Sequence, residues 1–419
     1  MHQALRLDAE KIARGAIAAV SPDAAVRRTL TGRRFSGRLY LVSVGKAGWK
    51  MAQVAVDTLE QPIEKGIVVT KYGHVEQPLP GIACYEAGHP VPDENTFRAT
   101  QAVLDMTEDL SPEDTVLFLL SGGGSALFEK PLVEVEELQI ITNQLLASGA
   151  DIVQMNTIRK RLSCVKGGRF AQWCAPARVE AIVLSDILGD PLDMIASGPA
   201  APDSSTCADA LAIVKKYNLK LSLKALSMVR QETPKQLNNV STKIIGSVRE
   251  LCKAAGELAE GLGYGSILLT DHLDCEAREA GAFLADILRT HAASGKKCAF
   301  LAGGETVVHL NGNGLGGRNQ ELALAAAAGI AGLPNVCVIS VGSDGTGGPT
   351  DAAGGYADGD TVQALAEHGL TVAGVLAEND AYHALKAVDG LILTGPTGTN
   401  VNDVAVALID LSQNAQQLR

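Results

Sequence analysis

Aromatic side chains are scarce in this sequence, 4% of 419 residues, so its core must be filled with small aliphatic groups. Positive charge is also in deficit: 36 Lys plus Arg stand against 47 Asp plus Glu, a formal net charge of -11. That balance excludes a broad electrostatic grip on nucleic acid or an anionic membrane, so any bound anion must be held locally. The eight cysteines form no Cys-x-x-Cys pair and no metal-like cluster with His, which points to buried thiols in a reducing compartment. The first twenty residues, MHQALRLDAEKIARGAIAAV, lack the long apolar core of a signal peptide or membrane span. A cytoplasmic protein that acts on a small molecule is expected.

What is abundant is glycine, 44 residues, in a chain that is 46% hydrophobic. Small residues let helices approach sheets and backbone approach ligands, the composition of an α/β enzyme. A chain this long exceeds what one core serves, and two domains with a cleft are expected. Continuous apolar runs such as RLYLVSVG, TVLFLLSGGG, VEAIVLSD, KCAFLAGGE and NVCVISVGSDG alternate with helical patterns throughout, which argues for parallel sheets covered on both faces. The weakly patterned stretch 200–242 places the domain crossing, giving domains of 1–240 and 241–419. Nearly every strand ends in a glycine-rich polar turn, and in open α/β sheets ligands bind there.

Four turns in the first half carry candidate phosphate chemistry. Ser121-Gly122-Gly123-Gly124-Ser125 follows an apolar strand and opens a helix, so its backbone amides can cradle a phosphate; alternatively Ser125 merely caps the helix. No Gly-Lys-Ser/Thr follows, which excludes a Walker A loop. Lys46, between Gly45 and Gly48, can neutralise a transferred phosphoryl group or a substrate carboxylate. The same turn lacks the three-glycine dinucleotide fingerprint, and the next strand ends in Lys71 where an NAD site wants an acid. Arg159, Lys160, Arg161, Lys166 and Arg169 form a local basic patch that either receives nucleotide phosphates or lines an exposed helix face. Asp186 and Asp190, with Asp193 beyond, are candidate magnesium ligands or turn caps.

The second half repeats the pattern. Gly303-Gly304-Glu305-Thr306 ends one strand, and Gly316-Gly317-Arg318-Asn319 opens an Ala-rich helix. Arg318 at a positive helix N-terminus is unfavourable unless an anion is bound, which marks it as functional. Asp344 and Asp351 lie among glycines in SDGTGGPTD, whose spacing does not fit an EF-hand, and are assigned catalytic or magnesium roles. Thr397, Thr399, Asn400 and Asn402 are expected between a strand and a final helix, with either asparagine available as its cap.

In order along the chain, VGKAG, LSGGGSAL, NTIRKRLSCVKGGRFA, LSDILGDPLDMIASGP, GGETVV, GLGGRNQELALA, SDGTGGPTDAAGG and TGPTGTNVND resemble the glycerate 2-kinase family. The resemblance covers nearly the whole chain. It implies a Rossmann-like α/β/α N-terminal domain and a smaller α/β MOFRL domain, about 297–410, with the active site in the cleft between them. It implies transfer of the ATP γ-phosphate to the C2 hydroxyl of D-glycerate with Mg2+, and makes Lys46 and Arg318 the essential cations. On that basis Ser121, Gly122, Gly123, Gly124, Ser125, Lys166, Glu305 and Asn319 are taken to contact the nucleotide, Asp186 and Asp190 to organise magnesium, and Asp344 or Asp351 to orient the hydroxyl. The competing expectations are an NAD(P)-dependent hydroxypyruvate reductase, which His74, His89, His272 or His309 would have to serve as acid/base, and a non-catalytic binder of organic acids. A homodimer is left open.

Overall fold

The computed structural model describes residues 3–411 and divides into two compact units, one of residues 25–245 and one that joins 3–24 to 246–411. The helix that opens the chain belongs to the same unit as the residues after 245. The helix Gln3–Ala19 buries Leu5, Ala9, Ile12, Ala13, Ala16 and Ile17 along one stripe. It lays that stripe on the helix Val248–Gly261 and on the second sheet. A 3.6-residue apolar repeat needs a partner surface, and the one it finds lies far away in sequence.

The 25–245 unit is built on β1 (Leu39–Val44), β2 (Ile63–Lys71), β3 (Ile82–Ala87), β4 (Thr115–Leu120), β5 (Arg178–Leu184) and β6 (Val240–Gly246). Their spatial order is β3-β2-β1-β4-β5-β6, the order of the doubly wound dinucleotide-binding sheets, and the pairs from β3 to β5 are parallel. β1 and β4 are buried at every position because both faces are covered. Leu41, Leu117 and Leu119 pack in one layer with Trp49, Met51 and Ala52 of the helix Gly48–Thr58. Val42, Val44, Phe118 and Leu120 enter the other, where Phe118, Phe128 and Phe170 stack with centroids 5.0–5.9 Å apart.

The split unit contains β7 (Gly265–Leu273), β8 (Lys297–Gly304), β9 (Val336–Gly342), β10 (Gly354–Asp358), β11 (Leu391–Ile392) and β12 (Asp403–Asp410), in the order β11-β10-β9-β12-β8-β7. Only β7 and β8 are parallel; β12 runs antiparallel to both β8 and β9, and β10 antiparallel to β9 and β11. Two expectations are corrected here. The sheet is not parallel, and DVAVALID, expected as a final helix, is the strand β12 in the middle of the sheet. A short run of Val, Ala, Leu and Ile that is buried on both faces has no polar side from which to read a period. Alternation of strands and helices likewise does not fix strand direction when the last strand inserts between earlier ones.

On this unit the Ala-rich helix Arg318–Ile330 packs against the helix Ala277–His291. A Cβ on Gly281 would collide with the Leu322 carbonyl, so the small residues set the helix spacing. Among the described residues no helix is long and apolar enough to cross a membrane.

Candidate active site

In a doubly wound sheet the crevice opens where neighbouring strands lead to opposite sides, which here is between β1 and β4. The two turns that leave those strands are Gly45-Lys46-Ala47 and Ser121 to Ser125, and they are bonded to each other. Lys46 N–H donates to the Gly122 carbonyl (2.8 Å), and Ala47 N–H to Ser121 Oγ (3.1 Å). Gly45 sits at φ 121°, with no room for a side chain against Ser121. The Lys46 carbonyl meets His74 Nδ1 (2.9 Å) and accepts from Thr70 Oγ1 (3.4 Å), so the backbone of this lysine is fixed from three sides. Its half-buried ammonium has no carboxylate within ion-pair distance among the described residues.

The β4 turn is a cradle of backbone amides. The N–H groups of Gly122, Gly123, Gly124 and Ser125 meet no acceptor in the described chain, and Gly123 takes φ 84°. The helix that follows, Gly124–Leu127, is only four residues long, so the free amides rather than a macrodipole define the site. Ser125 Oγ lies 3.1 Å from Ser197 Oγ, which donates to buried Asn156 (3.1 Å). Ala196 and Ser197 hold left-handed backbone at φ 50° and 61°, strain that the surrounding packing sustains.

Beside this turn, a Cβ on Gly122 would strike the Asp186 carboxylate, so Asp186 closes one side of the cradle. Asp190 follows at φ 53°, with a buried Oδ1 that has no hydrogen-bond donor. On the other side stands His89. A Cβ on Gly123 would be 3.1 Å from its Nε2 and 3.2 Å from Lys46 Cγ. Burial first, and then the charges of Lys46, Lys71 and His74, hold the His89 imidazole below its usual pKa.

The basic run Arg159–Arg169 turns inward. Lys160 is 2% exposed and bonds Asp193 (3.1 Å) and Asp203 (3.0 Å); Arg161, fully buried, bonds Thr157, Ser205 and the neighbourhood of Asp203. Lys166 is enclosed too. Its ammonium donates to the Ser125 and Phe128 carbonyls (2.8 and 2.9 Å) and lies 3.3 Å from buried Glu129, and burial pushes its pKa down to about 8. Arg159 reaches the Ser125 carbonyl (3.3 Å), and Arg169 the Ser163 carbonyl (3.0 Å). Lys166 and Arg159 brace the cradle from behind.

The split unit gathers a second set. Arg318 begins its helix, with Nη2 bonding Asp403 Oδ1 (3.1 Å), Nε bonding Oδ2, and Nη1 bonding Glu305 (2.9 Å). Asn402 Nδ2 donates to the other Glu305 oxygen (3.1 Å). The anion expected at this helix N-terminus is therefore supplied by the protein itself, from β12 and from the end of β8. Burial pushes the Asp403 carboxyl up against the opposing pull of Arg318. Asn319 is buried and accepts from Ser340 Oγ (2.6 Å). Asp344 Oδ1 caps Thr346 N–H (3.0 Å), and Asp344 and Asp403 both flank Gly342. Asp351 is exposed and accepts from Tyr382 (2.8 Å).

Lys46, Ser121 to Ser125 and Asp186 thus lie around one turn, and Arg318, Glu305, Asn319 and Asp344 around another. Sequence reasoning missed Asp403, hidden inside the supposed final helix, and Gln320, whose buried amide bonds Thr350 (2.8 Å) and Ala352. It also left His89 unassigned. The Gly-Gly turn of the β4 motif and the cation-rich neighbourhood were the available signals for His89, yet the strand that brings it there was not itself marked.

Residues 8–230 match a family described as a domain of unknown function (DUF4147), and residues 298–403 match the MOFRL family. D-Glycerate 2-kinase of Thermotoga maritima is 52% identical over 97% of this chain and 99% of that protein. The crystal structure of glycerate kinase from the same organism superposes with a TM-score of 0.93, covering 97% of this chain and 100% of that one. Glycerate 2-kinase of Pyrococcus horikoshii is 40% identical over 90% of this chain and 89% of its own length. A protein of Agrobacterium vitis that goes under the name hydroxypyruvate reductase is 38% identical over 94% of this chain and 92% of its own. The chain belongs to the glycerate 2-kinase (MOFRL) family.

Proposed function

We propose that this protein transfers the γ-phosphate of ATP to the C2 hydroxyl of D-glycerate, giving 2-phosphoglycerate and ADP. The observation that carries the reading is the Lys46 turn: an ammonium without a carboxylate partner, fixed beside four free amides at the switch point of the sheet. Such a site stabilises negative charge that passes through it, which is most of what phosphoryl transfer asks of a protein. Ser121 to Ser125 hold nucleotide phosphate oxygens, and Lys46 neutralises the phosphoryl group in flight. Lys166 acts through the Ser125 and Phe128 carbonyls and shapes the cradle.

Asp186 and Asp190 fit a magnesium ion carried in with the nucleotide. Asp190 offers a buried carboxylate oxygen without a donor, and two carboxylates suffice when waters and phosphate oxygens complete the octahedron. Bound there, the ion would neutralise phosphate charge. On the split unit, Arg318 binds the glycerate carboxylate while Asp403 and Glu305 fix its guanidinium plane. Asn319 and Glu305 hold the nucleotide side of that turn. Asp344 orients a substrate hydroxyl, a role for which its second oxygen is available; Asp351, spent on Tyr382, is the weaker choice. The free thiols suit a cytoplasmic enzyme.

The reductase reading has less support, because the Gly45–Gly48 turn lacks the three-glycine dinucleotide fingerprint and Lys71 stands where that site needs an acid. Incubation with D-glycerate, ATP and magnesium, with the products resolved by phosphorus NMR, tests the proposal. 2-Phosphoglycerate with stoichiometric ADP is expected. No ADP, with NADH oxidised by hydroxypyruvate, would contradict it.

A further inference from the structure

We infer that His89 is the catalytic base of this site, the group that takes the proton from the substrate hydroxyl as it is phosphorylated. The inference rests on the function proposed above and adds a residue to it. His89 follows β3, two strands away from the switch point, and reaches the cradle because the turn after β3 folds over Gly123. Its Nε2 and Lys46 Cγ flank the same point above that glycine, 3.1 and 3.2 Å from where a Cβ would be. The absence of that Cβ is what lets the imidazole approach the backbone amides.

Neither ring nitrogen of His89 has a hydrogen-bond partner within the described chain, in contrast to His74, His272 and His383, whose Nδ1 atoms are each engaged. A half-buried imidazole without a partner, beside an ammonium without a partner, is poised for a ligand rather than for the fold. The charged groups around it come from four elements. Lys46 follows β1, Lys71 ends β2, His74 lies in the turn after it, and Asp186 stands across the cradle at Gly122. The acids nearest in sequence are committed elsewhere: Glu86 accepts the His74 and Val75 amides, and Asp93 those of Gly88 and Thr96. Burial first, and then the neighbouring cations, hold the imidazole below its usual pKa, so that it is neutral near pH 7 and able to accept a proton.

The step balances. The C2 hydroxyl oxygen forms a bond to the γ-phosphorus while the bond from that phosphorus to the β,γ-bridging oxygen breaks, ADP leaves with the electron pair, and the hydroxyl proton passes to the imidazole. Lys46 offsets the charge on the phosphoryl oxygens in the same step. Protonation then places the cationic imidazole of His89 beside Lys46 and the product phosphate, and loss of the proton to water resets the site.

The test compares the pH profile of kcat for wild type, His89→Gln and His89→Ala, with D-glycerate, ATP and magnesium as substrates and thermal melts to confirm folding. Wild type is expected to lose kcat on an acidic limb with its midpoint below the ordinary histidine value. His89→Gln should lower kcat by about 10²–10⁴-fold, the range of general base catalysis, and abolish that limb, with the KM for ATP within about threefold. Added imidazole should restore part of the rate of His89→Ala. A folded His89→Gln that keeps kcat, keeps the acidic limb, or changes KM alone would overturn the inference. A wild-type protein without any turnover of glycerate would instead overturn the function on which it rests.

Discussion

Lys46 and Arg318 are the two cations that the sequence marked as functional, and the structure treats them differently. Lys46 keeps its charge for a visitor: its backbone is anchored and its ammonium has no acid partner. Arg318 is already paired, forked onto Asp403 and tied to Glu305 at 2.9 Å. A cation with no partner contributes to the reaction alone, whereas a paired one also supports the fold, because removing it strands a buried carboxylate. Removing Lys46 should therefore spare the fold, whereas removing Arg318 should not. The helix-terminus argument was sound in demanding an anion but could not see that it comes from Asp403, 85 residues away.

The sharpest way to break this contrast is Arg318→Met. It should lower kcat/KM by about 10³-fold, as loss of a transition-state cation does, and also destabilise the fold by about 2–3 kcal/mol. That loss is below the 3–5 kcal/mol of a fully enclosed pair because about a third of the arginine side chain is exposed. Adding Asp403→Asn should recover most of the stability in urea melts but none of the activity; recovery of neither would mean that the pair is not what holds this end of the helix.

Asp203→Asn extends the contrast to cations that serve only the fold. It leaves Lys160 and Arg161 buried beside a neutral amide and should destabilise the protein by about 3–5 kcal/mol, measured by denaturant unfolding. Ligand affinity in the variant that remains folded should be close to wild type. Were Arg161 a nucleotide contact, affinity for ATP would fall more than stability.

Lys166 gives the effect that depends on pH. Its ammonium is held at about 8, below the ordinary 10.5, because burial disfavours the charged form. Between those values the unfolded chain binds the extra proton, so this group makes stability rise as pH rises through the window, and its penalty is complete below about 8. Lys166→Met should remove that slope from melts taken between pH 8 and 10.5. A slope unchanged in the variant would show that Lys166 is not the group responsible.

Much of the first unit was legible because its strands announce themselves. TVLFLL is a continuous apolar run and VEAIVL is broken only by Glu180; each leads through a serine into glycine or acid, and both strand and turn lie where expected. The orientation of the basic run was not legible, since spacing shows which residues share a helix face but not whether that face meets water. Asp203 and Glu129, which draw Lys160 and Lys166 inward, are 43 and 37 residues away. β12 escaped for a related reason: a strand buried on both faces carries no alternation, and its place between β8 and β9 depends on pairing with segments 60 to 110 residues earlier. His89 was visible as a residue near a strand end but not as a neighbour of Lys46, because that contact exists only once β3, β2 and β1 lie side by side.

The account turns on Lys46 being held for an anion and for nothing else, and Lys46→Met tests this most directly when kcat/KM and melting temperature are measured on the same preparation. A loss of about 10³-fold or more in kcat/KM with an unchanged melting temperature is the predicted result. Turnover near that of wild type, or a fold lost along with the activity, would contradict it.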